Sequence, residues 1–382
     1  MGTLNAQALA RLRTTLQSHV DRGRIPGAAV VIGLGGHVEF REMLGRSDAK
    51  AGTPMREDSI FRIYSMTKPI VSLAALMLAE EGGLQLSDPL AAYLPEFGSQ
   101  QVALEEGGAV QLEPVRQPAT VHDLLRHTAG LTYEFLGDSA VQRQYEQARI
   151  ASRSRTNAEF ATALAAIPLA HQPGSCWEYS RATDVLGAVL EVVSGRALGE
   201  LLRERIFAPL GMNDTAFAVP REHWQRIAQP LEADPDTGQP VALLDPRQVP
   251  AFESGGGGLM STADDYVRFL QLLRNRGQLD GVRLVSRKTI EWMTADHLGS
   301  RPIRGDVLPA GHGFGLGVAV RIAAGLAPQP GSAGQYYWSG IGGTSFFVDP
   351  AEDLFALLLL QAPNQRIYYR NLFRQLVYAA VD

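Results

Sequence analysis

The chain has 382 residues, a formal net charge of −5 and a hydrophobic fraction of 45%. That size allows one large core or two medium ones, while the mild acidity and the lack of a basic stripe exclude nucleic acid as the natural partner. No apolar run reaches the roughly 18 residues that span a bilayer, so no membrane partner is expected. The single cysteine, Cys176, rules out an intramolecular disulfide and weakens the case for a cysteine-based metal site.

The segment from Met1 to Leu12 lacks the basic-then-apolar pattern of an export signal, so a cytoplasmic protein is expected. Residues 5–22 read as an amphipathic helix. An apolar run over 28–34, the pair Gly35-Gly36 and the alternating His37-Val38-Glu39-Phe40-Arg41 predict a β-hairpin. Residues 70–81 are too apolar for a surface helix and predict a buried one that stops at Gly82-Gly83. Segments 101–120, with Glu105-Glu106-Gly107-Gly108, 229–250, with five prolines, and 324–334 read as loops. A helix is expected over 184–194. Strands are expected over 315–320, 344–350 and 354–361, and a closing helix over 368–381.

Strands therefore gather at both ends and helices between them. This is an α+β pattern: an antiparallel sheet built from both chain ends, flanked by helices, with a mainly helical lobe inserted. Residues 1–382 read as a single domain of two lobes. The α/β lobe takes about 1–67 and 295–382, the helical lobe about 68–294, and a cleft between them is the natural place for a site.

The chemistry starts at Ser65-Met66-Thr67-Lys68. The chain uses lysine only at positions 50, 68 and 288, and arginine elsewhere. Arginine cannot give up its proton in a protein, whereas a desolvated lysine can. Residues i and i+3 share a helix face, so the Ser65 hydroxyl and the Lys68 amine meet. Pro69 is tolerated only near a helix start. That start puts Ser65 where free N–H groups and the positive dipole end favour an oxyanion.

Two further segments supply polar groups. Tyr179, in Pro173-Gly174-Ser175-Cys176-Trp177-Glu178-Tyr179-Ser180-Arg181, lies in a turn before a helix, where a phenol reaches a cleft. The segment Tyr336-Tyr337-Trp338-Ser339-Gly340-Ile341-Gly342-Gly343-Thr344 has a glycine-rich edge that lets a backbone approach a ligand. Tyr133 either lines the pocket or packs at the surface. Asp184 either backs Tyr179 or simply starts its helix. His122 and His127 are five apart, the wrong spacing for paired helical metal ligands, and no zinc motif occurs; no metal and no cofactor are expected. His127 is expected to hold a turn, and Gly255–Gly258 to form a tight turn under the cleft. No complete Gly-x-Ser-x-Gly elbow occurs.

These segments, in this order, resemble the serine β-lactamase and penicillin-binding-protein superfamily, whose motifs are Ser-x-x-Lys, a Tyr- or Ser-led triplet and Lys-Thr-Gly. Ser65-x-x-Lys68 matches the first, Tyr179-Ser180-Arg181 the second, and Trp338-Ser339-Gly340 stands in the third place. The class C-like branch, and in it the family VIII carboxylesterases, is most similar. Supporting segments are Ile60-Phe61-Arg62-Ile63, Leu124 to Leu131, Gly255 to Tyr266 and Phe346 to Pro350, so the resemblance covers roughly residues 25–380. It implies a β-lactamase-like fold and a serine hydrolase. Two departures stand out: Arg181 ends the second motif, and Trp338 replaces the lysine of the third.

The resemblance implies that Ser65 attacks an ester carbonyl to form an acyl-enzyme. Lys68, Tyr179 or the two as a unit take its proton. The N–H groups of Ser65 and, by resemblance, Ile341 form the oxyanion hole. Trp338, Ser339, Gly340 and Tyr133 contact substrate. An uncharged Trp338 packs on an acyl or alkoxy group but cannot pair an anion, which points to neutral carboxylic esters of small or medium acyl chains. The alternative is a β-lactam or D-amino-acid peptide hydrolase, or an acyltransferase, of the same superfamily. The expected partner is a small-molecule ester; the sequence does not set the oligomeric state.

Overall fold

A computed structural model describes residues 2–106 and 109–382. Eight antiparallel strands form the main sheet: β1 (Gly27–Leu34), β2 (His37–Asp48), β3 (Thr53–Pro54), β4 (His312–Phe314), β5 (Ala319–Arg321), β6 (Tyr336–Ser339), β7 (Ser345–Asp349) and β8 (Leu354–Leu359). Their spatial order is β4-β5-β6-β7-β8-β1-β2-β3. The two chain ends join where β1 pairs β8, from Ala29 opposite Leu359 to Leu34 opposite Leu354. Gly35 (φ 60°) and Gly36 (φ 90°) make the tight turn from β1 into β2, with both residues in the region that glycine enters without penalty.

Period-two alternation sorts the strand side chains onto two buried faces. Val30, Ile32, Ala356 and Leu358 pack under α1 (Ala6–Asp21) and the C-terminal helix α4 (Arg366–Tyr378), through Leu12, Leu16, Tyr369 and Phe373. Ala29, Val31, Phe355 and Leu357 face the other way, into a core shared with the helical part of the chain. That core is built on α2 (Thr67–Glu80), whose residues from Thr67 to Leu78 are all buried, and on α3 (Ala182–Ser194), which ends at Gly195 in the left-handed conformation. Buried side chains all round α2 explain why its sequence carries no polar stripe.

Two local expectations change. Residues 315–320 do not form one strand. They turn from β4 into β5, because Gly317 (φ 91°) packs so closely on α2 that a Cβ there would lie 2.2 Å from Ser72 Oγ. Residues 101–120 are not one loop: Gln101–Glu106 and Ala109–Pro114 pair as a hairpin. Its alternating Val102, Leu104, Val110 and Leu112 supply the strand pattern. Gly107 and Gly108, read as part of that loop, lie outside the described residues. The long 229–250 segment is irregular, and it is tied down at Leu244, whose N–H donates to Tyr64 Oη at 3.0 Å. Among the described residues no helix is long and apolar enough to cross a membrane.

Candidate active site

Ser65 sits in a short 3-10 turn, Tyr64–Met66, that leads directly into α2. Tyr64 adopts φ 45°, a rare state for a bulky residue, and it sets the nucleophile at a sharp bend. The turn is fixed from several sides. Tyr266 Oη donates to Met66 O at 2.9 Å, and Leu259 N–H donates to Thr67 Oγ1 at 3.1 Å. Ile63 N–H donates to Leu259 O at 3.1 Å.

From α2 the fully buried Lys68 reaches back over one turn. Its Nζ donates to Ser65 Oγ at 3.2 Å, to Tyr133 Oη at 3.0 Å and to Gly256 O at 2.6 Å. Three donors thus meet three acceptors, the full capacity of an ammonium group. Tyr179 Oη donates to Ser65 Oγ at 2.7 Å, and Lys68 Nζ lies 4.5 Å from the Tyr179 ring centroid. Trp338 Nε1 points at Tyr179 Oη from 3.4 Å. Four hydrogen bonds thus chain Tyr133, Lys68, Ser65, Tyr179 and Trp338 together, from three separate stretches of sequence besides the Ser65–Lys68 turn.

Tyr179 is held by its neighbours in the chain. Glu178 N–H donates to His127 O at 3.0 Å and Ser180 N–H to His127 Nδ1 at 3.2 Å. His127 does hold a turn, with φ 56°; burial and then the Lys68 charge push its imidazole well below the usual histidine range. Burial drives the Tyr133 phenol well above its ordinary value, with Tyr179 and Asp184 adding to it, so Tyr133 stays protonated.

Asp184 is placed differently from one of its two readings. It makes no hydrogen bond to Tyr179 among the described residues. From the first turn of α3 its Oδ1 accepts from Ser254 Oγ at 2.5 Å and from Gly256 N–H at 2.9 Å, and its Oδ2 accepts from Arg181 Nη1 at 3.2 Å. It thereby holds the 254–258 turn whose Gly256 carbonyl receives Lys68. A Cβ on Gly256 would lie 2.8 Å from the Asp184 carboxylate and one on Gly255 2.5 Å from Thr183 O, which is why the run is glycine. Arg181 is buried between Asp184 and Glu134, with its guanidinium 4.7 Å from the Tyr133 ring. Burial works against its charge, but Asp184 and Glu134 outweigh it and raise its proton affinity. This second-motif arginine is committed to those acids.

The cleft over Ser65 encloses about 650 Å3. Its wall includes Tyr133, Phe135, Phe252, Trp338, Ile341 and Phe346, and Ser339 stands at its edge. Gly340 lies behind the wall and does not face the cleft: a Cβ there would fall 2.4 Å from both Ile63 O and Thr344 Oγ1. Ile341 is exposed at the rim. Its N–H has no acceptor among the described residues. The contacts of Tyr133 and Gly256 with Lys68 were not anticipated. A buried lysine needing three acceptors was the available signal.

This fold and this serine–lysine–tyrosine cluster define a class, and the chain belongs to the β-lactamase family, whose model matches residues 12–378. It is similar to Esterase EstB of Burkholderia gladioli, 35% identical over 94% of this chain and 91% of that one. It is similar to Lovastatin esterase of Penicillium rubens, 31% identical over 75% of this chain and 72% of the relative. Among solved structures, EstCE1, described as a hydrolase with promiscuous acyltransferase activity, superposes with a TM-score of 0.80. It is 29% identical and covers 97% of this chain and 99% of its own.

Proposed function

We propose that the protein is a serine carboxylesterase that cleaves esters of small or medium acyl chains through an acyl-enzyme on Ser65. The observation that carries this reading is the Ser65 hydroxyl within 3.2 Å of Lys68 Nζ and 2.7 Å of Tyr179 Oη at the floor of an apolar cleft. Relatives named as esterases support it. Its placement beside the family VIII carboxylesterases and in the cytoplasm belongs to the same proposal.

In acylation Ser65 Oγ attacks the carbonyl carbon, and its proton passes to the Lys68–Tyr179 pair in the form that lacks one proton, either a neutral Lys68 amine beside the phenol or the ammonium beside the phenolate. Lys68 Nζ and Tyr179 Oη both hydrogen-bond Ser65 Oγ, so the base role is assigned to the two together. The carbonyl oxygen becomes an oxyanion facing the N–H groups of Ser65 and Ile341. Tyr179, touching Ser65 Oγ and backed by Trp338 Nε1, returns the proton to the departing alkoxide. In deacylation the same groups take a proton from water and restore it to Ser65. Lys68 holds Ser65 and Tyr133 in register through its remaining donors.

Ser65→Ala should lower kcat on p-nitrophenyl butyrate about a thousandfold or more and abolish labelling by a fluorophosphonate. Mass spectrometry of the wild-type adduct should place it on Ser65; an adduct elsewhere, or a variant of near-parental rate, rejects the mechanism. The apolar wall favours a second reaction, transfer of the acyl group to an alcohol in place of water. An added alcohol that diverts product from acid to ester measures it.

A further inference from the structure

The peptide unit joining Gly340 to Ile341 is held at one end and free at the other. Its carbonyl oxygen accepts from Gly343 N–H at 3.0 Å and from Nη2 of Arg370 on α4. Gly340 N–H is itself spent on Thr344 O at 2.8 Å. The Ile341 N–H, at the opposite end of the same unit, has no acceptor among the described residues and borders the cleft with Ser65. In a trans peptide the C=O and N–H point in opposite directions, so donors that pin the oxygen also aim the N–H.

Arg370 is an unusual group for this position. No carboxylate pairs with it among the described residues, and the charged neighbours that act on it, Arg366 and Arg374, are cations. Its Nε is buried without a partner. Burial, and then Arg366, bring its proton affinity down to about 10, which leaves it charged at neutral pH. A partly buried guanidinium ordinarily secures an acid. Here its one hydrogen bond among the described residues goes to a backbone carbonyl.

We propose that Arg370 is a positioning residue for the oxyanion hole, its charge on Gly340 O polarising the 340–341 peptide and directing the Ile341 N–H toward the developing oxyanion. This rests on the ester-hydrolase reading of the cleft. A charged donor on the carbonyl draws electron density through the amide and leaves its N–H a stronger donor. The gain grows as negative charge builds on the substrate oxygen, so it belongs to the transition state more than to the bound ester.

The test uses the full chain with Arg370→Gln, which keeps one donor without charge, and Arg370→Lys, which keeps the charge. Steady-state rates on p-nitrophenyl butyrate are compared with binding of an alkylboronic acid, a tetrahedral anion on Ser65, and of an unreactive ether of the same shape. Arg370→Gln should lower kcat about tenfold and weaken the boronic acid by the same factor, with KM and ether binding within about twofold. Arg370→Lys should stay within about threefold of the parent. A kcat for Arg370→Gln within about twofold of the parent overturns the proposal, as does equal weakening of boronic acid and ether. Either result, with the parent active and its Ser65 labelled, leaves the hydrolase standing. If Arg370→Gln does not fold, Arg370→Lys is read alone, and a tenfold or larger loss of its ether binding overturns the proposal. Failure of both to fold does so too, since Arg370 would then serve the fold and not the hole.

Discussion

Replacing Tyr133 with phenylalanine removes one oxygen and leaves the ring. The ring keeps its stacking on Phe135, with centroids 4.7 Å apart, and its contact with the Arg181 guanidinium. What is lost is the 3.0 Å acceptor of Lys68 Nζ. Lys68 is fully buried, and its other partners are Ser65 Oγ and Gly256 O, so one ammonium hydrogen is left without an acceptor. A buried donor stranded in this way costs about 1–3 kcal/mol. If that cost falls on the step in which the Lys68–Tyr179 pair takes up the Ser65 proton, kcat drops roughly 5- to 150-fold, at 1.36 kcal/mol per factor of ten. Steady-state kinetics on p-nitrophenyl butyrate read it directly: kcat should fall within that range and KM should move little, because the ring still lines the cleft. Thermal unfolding should show the variant folded. A folded variant with kcat within about twofold of the parent would refute the reasoning, since it would mean that the third acceptor of Lys68 has no part in the reaction.

Trp338→Phe keeps the apolar wall but removes the Nε1–H that faces Tyr179 Oη; kcat on esters of poor leaving groups should fall about threefold to tenfold, and activated aryl esters should be spared. Comparing methyl and p-nitrophenyl esters checks this. Asp184→Ala leaves Arg181 with Glu134 as its one acid among the described residues and takes the acceptor from Ser254 Oγ and Gly256 N–H, so urea unfolding should show a loss of about 1–3 kcal/mol. Burial lifts the Asp265 carboxyl to about 6, despite donors from Thr215 and Asp214. Its folded-state value lies above that of the unfolded chain, so its contribution is fully present below pH about 4 and is lost as pH rises through about 6. Denaturation midpoints across that window should show this decline, and Asp265→Asn should flatten it.

Much of the architecture was legible because it rests on local patterns. Gly35-Gly36 between alternating runs encodes a hairpin by its dihedral freedom, and the unbroken apolar stretch after Pro69 encodes a helix with no solvent face. Ser65 and Lys68 meet because the spacing of three is a geometric property of one helical turn. One misread segment is decided by a remote contact, the other by a local pattern. Residues 315–320 have strand composition, and only the approach of Gly317 to Ser72 turns them. In residues 101–114 the alternating Val102, Leu104, Val110 and Leu112 are a local strand signal that the acid- and glycine-rich middle of the segment hid.

The chain by itself determined which side chains could do the chemistry: a rare lysine, a serine three before it, a tyrosine in a turn. Tertiary structure alone decided what each of them touches. Tyr133 is a pocket wall by composition and a Lys68 ligand by position; Asp184 is a helix-start acid by composition and the anchor of the Gly256 turn by position. The physical reason is that hydrogen bonding acts over about 3 Å. Partners separated by some 65 to 190 positions come within that range only when sheet and helices have packed.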